Sequence, residues 1–340
     1  MPRRPGARSA AAAAGRALAG AGLAALALWG ALALWFDGPA SRPAAALLAA
    51  GFLAAFAFPW LRLRARGRAA ATSGLVFAVV LAWWLRIPPS NDRDWLPDVV
   101  RTPTAERQGS VVTLRDVRHF AYRSENEFSE HWETRRYDLD QVEGLDLFLS
   151  YWGPTLYAHT ILSFQFEGAA PLAVSIETRK QKGESYSALR GFFRQYELVY
   201  VMADERDVVK LRTSFRGERV LLYRLTTPKA HARALLEQYL AEANALARQP
   251  AWYNAFTQNC TTGIWRNIRA IAPNWRFDWR LLANGYLDEL VYELGTVDTR
   301  LPLAELRARS DVTERERFCA ERADFSSCIR EGLPLPASRQ

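Results

Sequence analysis

The sequence predicts an α+β domain carried behind three transmembrane helices, and three observations lead to that reading. Three long apolar runs without charged residues fall within the first 88 residues. The remainder alternates between period-two strand patterns and helical spacing. Its turns and Pro/Gly punctuation give neither an all-helical nor an all-strand order.

The apolar runs come first. Ala17–Phe36 is 20 residues long, Ala44–Leu61 is 18 and Ala69–Leu85 is 17. A helix needs about 20 apolar residues to cross a bilayer core. The spans are expected over about 17–36, 44–61 and 69–87, within a membrane region 1–88. A cleaved signal peptide competes for the first run, but that run is long for one and two more follow it.

Arginines orient the spans. Arg3, Arg4, Arg8 and Arg16 precede the first run, and Arg62, Arg64, Arg66 and Arg68 separate the second from the third, whereas the first connection holds only Asp37 and Arg42. By the positive-inside rule the N-terminus is cytoplasmic, and an odd number of crossings delivers residues 89–340 to the other side. The same arginines account for the pI of 9.6. Residues 1–73 carry a net +8, equal to the formal charge of the whole chain, so 74–340 is neutral and no nucleic-acid partner is implied.

Of three cysteines, Cys319 and Cys328 stand nine apart and could close a small disulfide loop in an oxidising compartment. Cys260 is left over, either a buried inert thiol or a reactive one.

Along the outer domain, a Pro- and Asp-rich linker spans 86–98. Strand patterns follow in "SVVTLRDVRHFAYRS", "YAHTILSFQF" and "PLAVSIETRK", and a helix in "PKAHARALLEQYLAEANALARQP" between Pro228 and Pro250. "DERD", 204–207, in a segment that reads as a short polar turn or helix between strands, is a solvated turn in preference to a cation site, and His119, His131 and His231 lack metal-ligand spacing. No cofactor or metal is called for.

Asn259 suits a helix N-cap, with Ile264, Trp265, Ile268 and Ile271 at helical spacing behind it. Cys260 then occupies a first helical turn, where the dipole favours a thiolate. A thiolate needs a base. His159 lies on the strand face opposite Leu162, Phe164 and Phe166, and is either a histidine satisfied by neighbours or that base. A hairpin turning near Gly168–Ala169 brings residues near 177–179 across from His159. Glu177 thus either orients the imidazole or pairs at the surface with Arg179 or Lys180. Asn259 and Thr261 are oxyanion donors or helix caps. Tyr151 and Trp152 in "YWGP", with "AWY" at 251–253, meet substrate or pack the core.

"YDLD", "AHTILSFQF", "SIETRK", "GESYS", "YELVYVMADERD" and "YNAFTQNCTT" occur in this order, and over about residues 92–275 the chain resembles the periplasmic domain of the Lnb-type lipoprotein N-acyltransferases. That family is similar to circularly permuted papain-like (NlpC/P60-like) thiol enzymes, with the histidine strand before the cysteine helix. The resemblance implies such a fold, with His159 matching the family's histidine, Cys260 its nucleophile and Glu177 lying in the matching segment. It implies a multi-pass inner (cytoplasmic) membrane protein with a periplasmic domain. The activity implied is acyl transfer from a phospholipid donor, through a Cys260 thioester, to the N-terminal amine of a lipoprotein. Membrane helices follow the domain in the family and precede it here. Two other readings stand beside this one: a thiol amidase or peptidase acting on cell-wall peptide, and an anchored binding module without catalysis.

Overall fold

The protein's structure, a computed structural model, describes residues 7–271, 274 and 276–336. Arg3 and Arg4, which the charge rule counts, lie outside them. The chain forms two compact units.

The first unit comprises residues up to Pro89 together with Ser187–Gln195. Its helices are α1 (Ala7–Asp37), α2 (Arg42–Arg62) and α3 (Arg66–Leu85), each long and apolar enough to cross a membrane. Small residues let them approach: a side chain on Gly30 would collide with the Phe52 ring. Polar groups within the bundle are satisfied locally. Ser73 donates to the Phe56 carbonyl at 2.6 Å, and Trp84 Nε1 donates to Asp37 Oδ2 at 2.6 Å. The stretch 187–195, which no sequence pattern groups with the helices, packs here through Phe193, 5.1 Å from the Phe36 ring. Asp37 also accepts from the Arg194 amide at 3.2 Å and from Gln195 Nε2 at 2.7 Å.

The described residues of the second unit form ten strands: β1 (Thr104–Gln108), β2 (Val111–Arg118), β3 (Ala121–Tyr122), β4 (Phe128–Ser129), β5 (Trp132–Asp138), β6 (Val142–Tyr151), β7 (His159–Phe166), β8 (Ala169–Arg179), β9 (Glu197–Ala203) and β10 (Arg219–Arg224). Its helices are α4 (Glu205–Lys210), α5 (Lys229–Arg248), α6 (Cys260–Ile271), α7 (Leu287–Glu293), α8 (Leu303–Arg309), α9 (Thr313–Cys319) and α10 (Phe325–Cys328). The main sheet runs β1-β2-β9-β8-β7-β6-β10, with β5 also on β2 and β3 paired with β4 apart from it. Among the described residues only β2 and β9 are parallel neighbours. The unit is α+β.

Cover on both faces leaves β6 to β9 almost wholly buried. Leu162, Phe164, Val174, Ile176, Leu198 and Tyr200 point to one face and pack with Leu235, Leu236, Tyr239 and Leu240 of α5. Ile161, Ala173, Val199 and Val201 point to the other, against Val208 and Val209 of α4 and the disulfide-bonded Cys319 and Cys328. β7 and β8 form the expected hairpin. Phe166 pairs with Ala169, and Gly168 adopts the positive φ of 71° that the tight turn requires. The 229–248 helix is α5, entered at Pro228.

"DERD" is not a solvated turn. Asp204 caps α4 by accepting from the Arg206 amide, and Glu205 and Asp207 are buried. Asp207 binds the Arg118 guanidinium at 2.6 Å, and Glu205 pairs with Arg330. Buried carboxylates persist only when paired in this way. His119 and His131 both contact Glu133, at 2.8 and 3.2 Å, and His231 is exposed on α5.

Candidate active site

The start of β7 collects the groups that carry chemistry. In the β7–β8 ladder Ile161 pairs with Ser175, the last pair at that end, so continuing the register sets His159 opposite Glu177. The structure brings them together: His159 Nε2 is 3.0 Å from Glu177 Oε1 and 2.6 Å from Ser175 Oγ. Ser175 Oγ donates its own proton to Glu177 Oε1 at 2.7 Å. Two oxygen acceptors therefore face Nε2 and fix the ring proton there. Nδ1 is left without a hydrogen-bond partner among the described residues, the nitrogen open to act as a base.

Behind this pair stands a charge chain that the sequence reading missed. The segment after α4 continues as a π-helical turn, Leu211–Phe215, and presents Arg212. Arg212 Nη2 donates to Glu177 Oε1 at 3.0 Å, and Nη1 lies 3.5 Å from Glu218 Oε2, which accepts from Ser150 Oγ at 2.5 Å. These contacts join residues far apart in the chain, and no local motif announces them.

The electrostatics follow. Burial alone would raise the Glu177 pKa, but His159, Arg212 and Ser175 outweigh it and hold the carboxyl well below its ordinary range. Burial, then the Arg212 charge, pushes His159 down, so its resting form is neutral imidazole.

Cys260 opens α6 as expected, behind Asn259. Asn259 Oδ1 accepts from the amides of Thr261 and Thr262 at 3.0 and 2.9 Å, and its Nδ2 donates to the Ala255 carbonyl. Asn259 is thus the N-cap, and its Nδ2 keeps a second N–H beyond the one given to Ala255. Thr261 is also engaged, accepting from Asn284 Nδ2 at 2.8 Å. With those two amides capped, the Cys260 amide remains the first-turn donor without a partner among the described residues. Helix α6 sits close on the sheet because Gly263 has no side chain; a Cβ there would press on Ile176.

That packing corrects one step of the sequence reasoning. Ile176 belongs to the face shared by Leu162 and Phe164, so α6 covers the apolar stripe, whereas His159, Ser175 and Glu177 lie on the other face. The thiol therefore meets the start of β7 from the face opposite the imidazole. The Thr160 amide, next in sequence to His159, is among the groups that lower the Cys260 pKa, and no hydrogen bond joins the Cys260 and His159 side chains. Such bonds commonly tighten only with substrate bound. The thiol also differs from expectation in its protonation. Burial pushes the Cys260 pKa up, outweighing the donors from Thr160 and Thr261 and the helix start. The resting pair is a thiol and a neutral imidazole.

Asn284 is the second residue the sequence did not reveal. It accepts from the Ala158 amide at 2.9 Å, donates to the Ala158 carbonyl at 2.5 Å, and lies 3.5 Å from the Cys260 sulfur. One amide side chain thereby ties the approach to β7 to the first turn of α6. Gly285 beside it is required for the same closeness, because a Cβ there would overlap the Thr155 carbonyl. Tyr151 donates to the Gly285 carbonyl at 3.0 Å, Trp152 is exposed, and Tyr253 is buried in the core.

Residues 128–285, a stretch holding every member of this cluster, match the family of the Lnb N-terminal periplasmic domain. No curated protein and no solved structure matches the chain.

Proposed function

With its 128–285 segment belonging to the Lnb N-terminal periplasmic domain family, we propose that this chain is a lipoprotein-modifying membrane enzyme working through Cys260 and His159. The observation that carries the reading is the oriented imidazole. Its Nε2 is held by Glu177 and Ser175 while Nδ1 is open, and the next residue in the chain, Thr160, presents its amide among the groups that lower the Cys260 pKa. A histidine serving only the core would be expected to have both nitrogens satisfied.

Because the resting pair is neutral, His159 acts as general base during attack. Nδ1 takes the Cys260 proton as sulfur bonds to the ester carbonyl carbon of a phospholipid. The tetrahedral oxyanion meets the unpartnered Cys260 amide. Its collapse breaks the ester C–O bond, and the lysophospholipid oxygen leaves with the proton from His159. The acyl chain remains on Cys260 as a thioester. The α-amine of a lipoprotein's N-terminal cysteine, itself diacylglyceryl-modified, then attacks the thioester carbonyl. It loses a proton through His159, and the departing thiolate regains one. Glu177 stabilises the imidazolium in each half-reaction, with Arg212 holding the carboxylate in place.

The same reading takes the unit as a circularly permuted papain-like (NlpC/P60-like) arrangement. It places the chain in the inner membrane with its N-terminus cytoplasmic and the sheet unit periplasmic. Mass spectrometry of lipoprotein N-termini, in cells with and without the protein, is the test. Loss of the N-terminal acyl chain on deletion supports acyl transfer. Unchanged lipoproteins with altered cell-wall peptide would establish the amidase instead, and no change in either would leave a binding module.

A further inference from the structure

Exposed apolar side chains stand on three stretches that lead to Cys260 and Asn284. Trp152, Leu156 and Tyr157 are exposed on the β6–β7 connection, Phe256 on the turn before Cys260, and Phe277 and Trp279 on the segment leading to Asn284. Contacts bind these stretches into one rim. The Gly285 amide donates to the Leu156 carbonyl at 3.1 Å, the Trp279 ring lies 5.8 Å from Tyr286, and Asn284 Nδ2 donates to Thr261 Oγ1 at 2.8 Å, one residue past Cys260. Residues 151–158 and 250–259 contain no Asp, Glu, Lys or Arg, in a chain where such residues make up 24%. On the third stretch Asp278 is met within its own loop by Arg280 at 2.9 Å, and Arg276 is exposed beside Phe277.

Exposed aromatics on stretches that carry few charges, with the basic Arg276 among them, suit an interface where one side is apolar and the other wet and anionic. Trp and Tyr favour the headgroup level of a bilayer for this reason. A second observation names the occupant. Tyr186, exposed and hydrogen-bonded through its hydroxyl to Tyr253, is followed at once in the chain by Ser187–Gln195, the stretch that packs with the membrane helices. We propose that this rim seats in the headgroup–acyl boundary of a phospholipid bilayer, so that the Cys260 mouth opens to lipid rather than to water. The proposal rests on the Cys260 reading for what the rim surrounds.

The test places a photo-crosslinking benzoylphenylalanine singly at positions 152, 256 and 279 of the full chain carrying Cys260→Ala, reconstituted in phosphatidylethanolamine–phosphatidylglycerol vesicles. Position 318 is the control, being 72% exposed in α9, which packs on the opposite sheet face. Phospholipid adducts at the rim positions should exceed those at 318 by about tenfold, as expected for residues lying at the interface. Equal adducts at all four positions, or none at the rim, would overturn the proposal. So would rim adducts that form only when a cell-wall peptide is supplied, since the occupant would then be that peptide. The Cys260→Ala background removes turnover, so a failed acyl-transfer assay and a failed crosslink are separate results.

Discussion

Arg212 and His159 converge on a single oxygen, Glu177 Oε1, each 3.0 Å from it. The carboxylate is therefore braced by a fixed cation on one side while it orients a titratable ring on the other. Arg212 is a positioning residue in this arrangement, and its influence is readable as a pH effect.

Replacing Arg212 by Met should raise the pKa of His159, because the guanidinium is among the groups that depress it. The acid limb of the kcat/KM profile then moves to higher pH, and the rate falls by up to about 10²-fold as the ring loses its orientation. Arg212→Lys should restore part of the charge effect but not the two-pronged geometry. A profile unmoved by Arg212→Met would show that the chain of charges is only structural.

The neutral resting pair has a kinetic signature. With burial holding the Cys260 thiol above its ordinary pKa, little thiolate exists near neutrality, and raising the pH is what deprotonates it. Iodoacetamide alkylation should accelerate roughly tenfold per pH unit from pH 7 up to at least the usual thiol range near 8.5. His159→Ala should leave alkylation at pH 7 nearly unchanged while lowering turnover by about 10²–10⁴-fold. A rate plateau beginning below pH 7 would reveal a preformed ion pair instead.

Cys260→Ser should abolish acyl transfer, since a serine hydroxyl is a poor nucleophile beside this base. With phospholipid and no amine acceptor, the wild type should accumulate a hydroxylamine-sensitive acyl group on Cys260, detected by intact mass. Full activity in Cys260→Ser would remove the thiol from the mechanism.

Asn284→Ala should leave the buried Ala158 amide and carbonyl without partners. A destabilisation of about 1–3 kcal/mol is expected for such a loss, measured by denaturant unfolding in detergent. Asn284→Asp keeps the acceptor for the Ala158 amide but sets a carboxylate against the Ala158 carbonyl and near the thiol. Alkylation of Cys260 should slow further in that variant. Unfolding midpoints identical to wild type in both variants would contradict the clamp.

A reporter fused after Ile87 should be active outside the cytoplasm and one fused near Arg66 inside it. Reversed activities would overturn the proposed orientation.

What the sequence disclosed was local. The three spans, the Pro228-initiated helix, the Gly168 hairpin and the Asn259 cap each depend on a short run of residues, and each is present in the structure. The hairpin register also brought Glu177 to His159. Arg212, Glu218, Ser150 and Asn284 were not legible, because their roles arise from contacts across the fold and they sit in a π-helical turn, a connection, a strand end and a short 3₁₀ turn. The helix-start argument for a thiolate failed for a related reason. A dipole can be read from position, but the desolvation that outweighs it depends on everything packed around the sulfur. Likewise, strand alternation showed which residues share a face, and only the packing of α6 showed which face the cysteine helix covers.

The tail sets the limits of any excised domain. Arg330 lies two residues beyond Cys328 and reaches back to Asp146 on β6 at 2.9 Å and to Glu205 at the start of α4. Both carboxylates are fully buried, and Arg330 is the cation that neutralises Glu205. Removing one member of a buried ion pair costs about 3–5 kcal/mol, comparable to the whole stability of a modest domain. The segment that matches the family model, 128–285, is therefore smaller than the segment able to fold. An expression fragment that keeps every chemical group but stops before Arg330 would strand negative charge in its interior, and the anchored cysteine loop is what delivers the missing counter-charge from the far end of the chain.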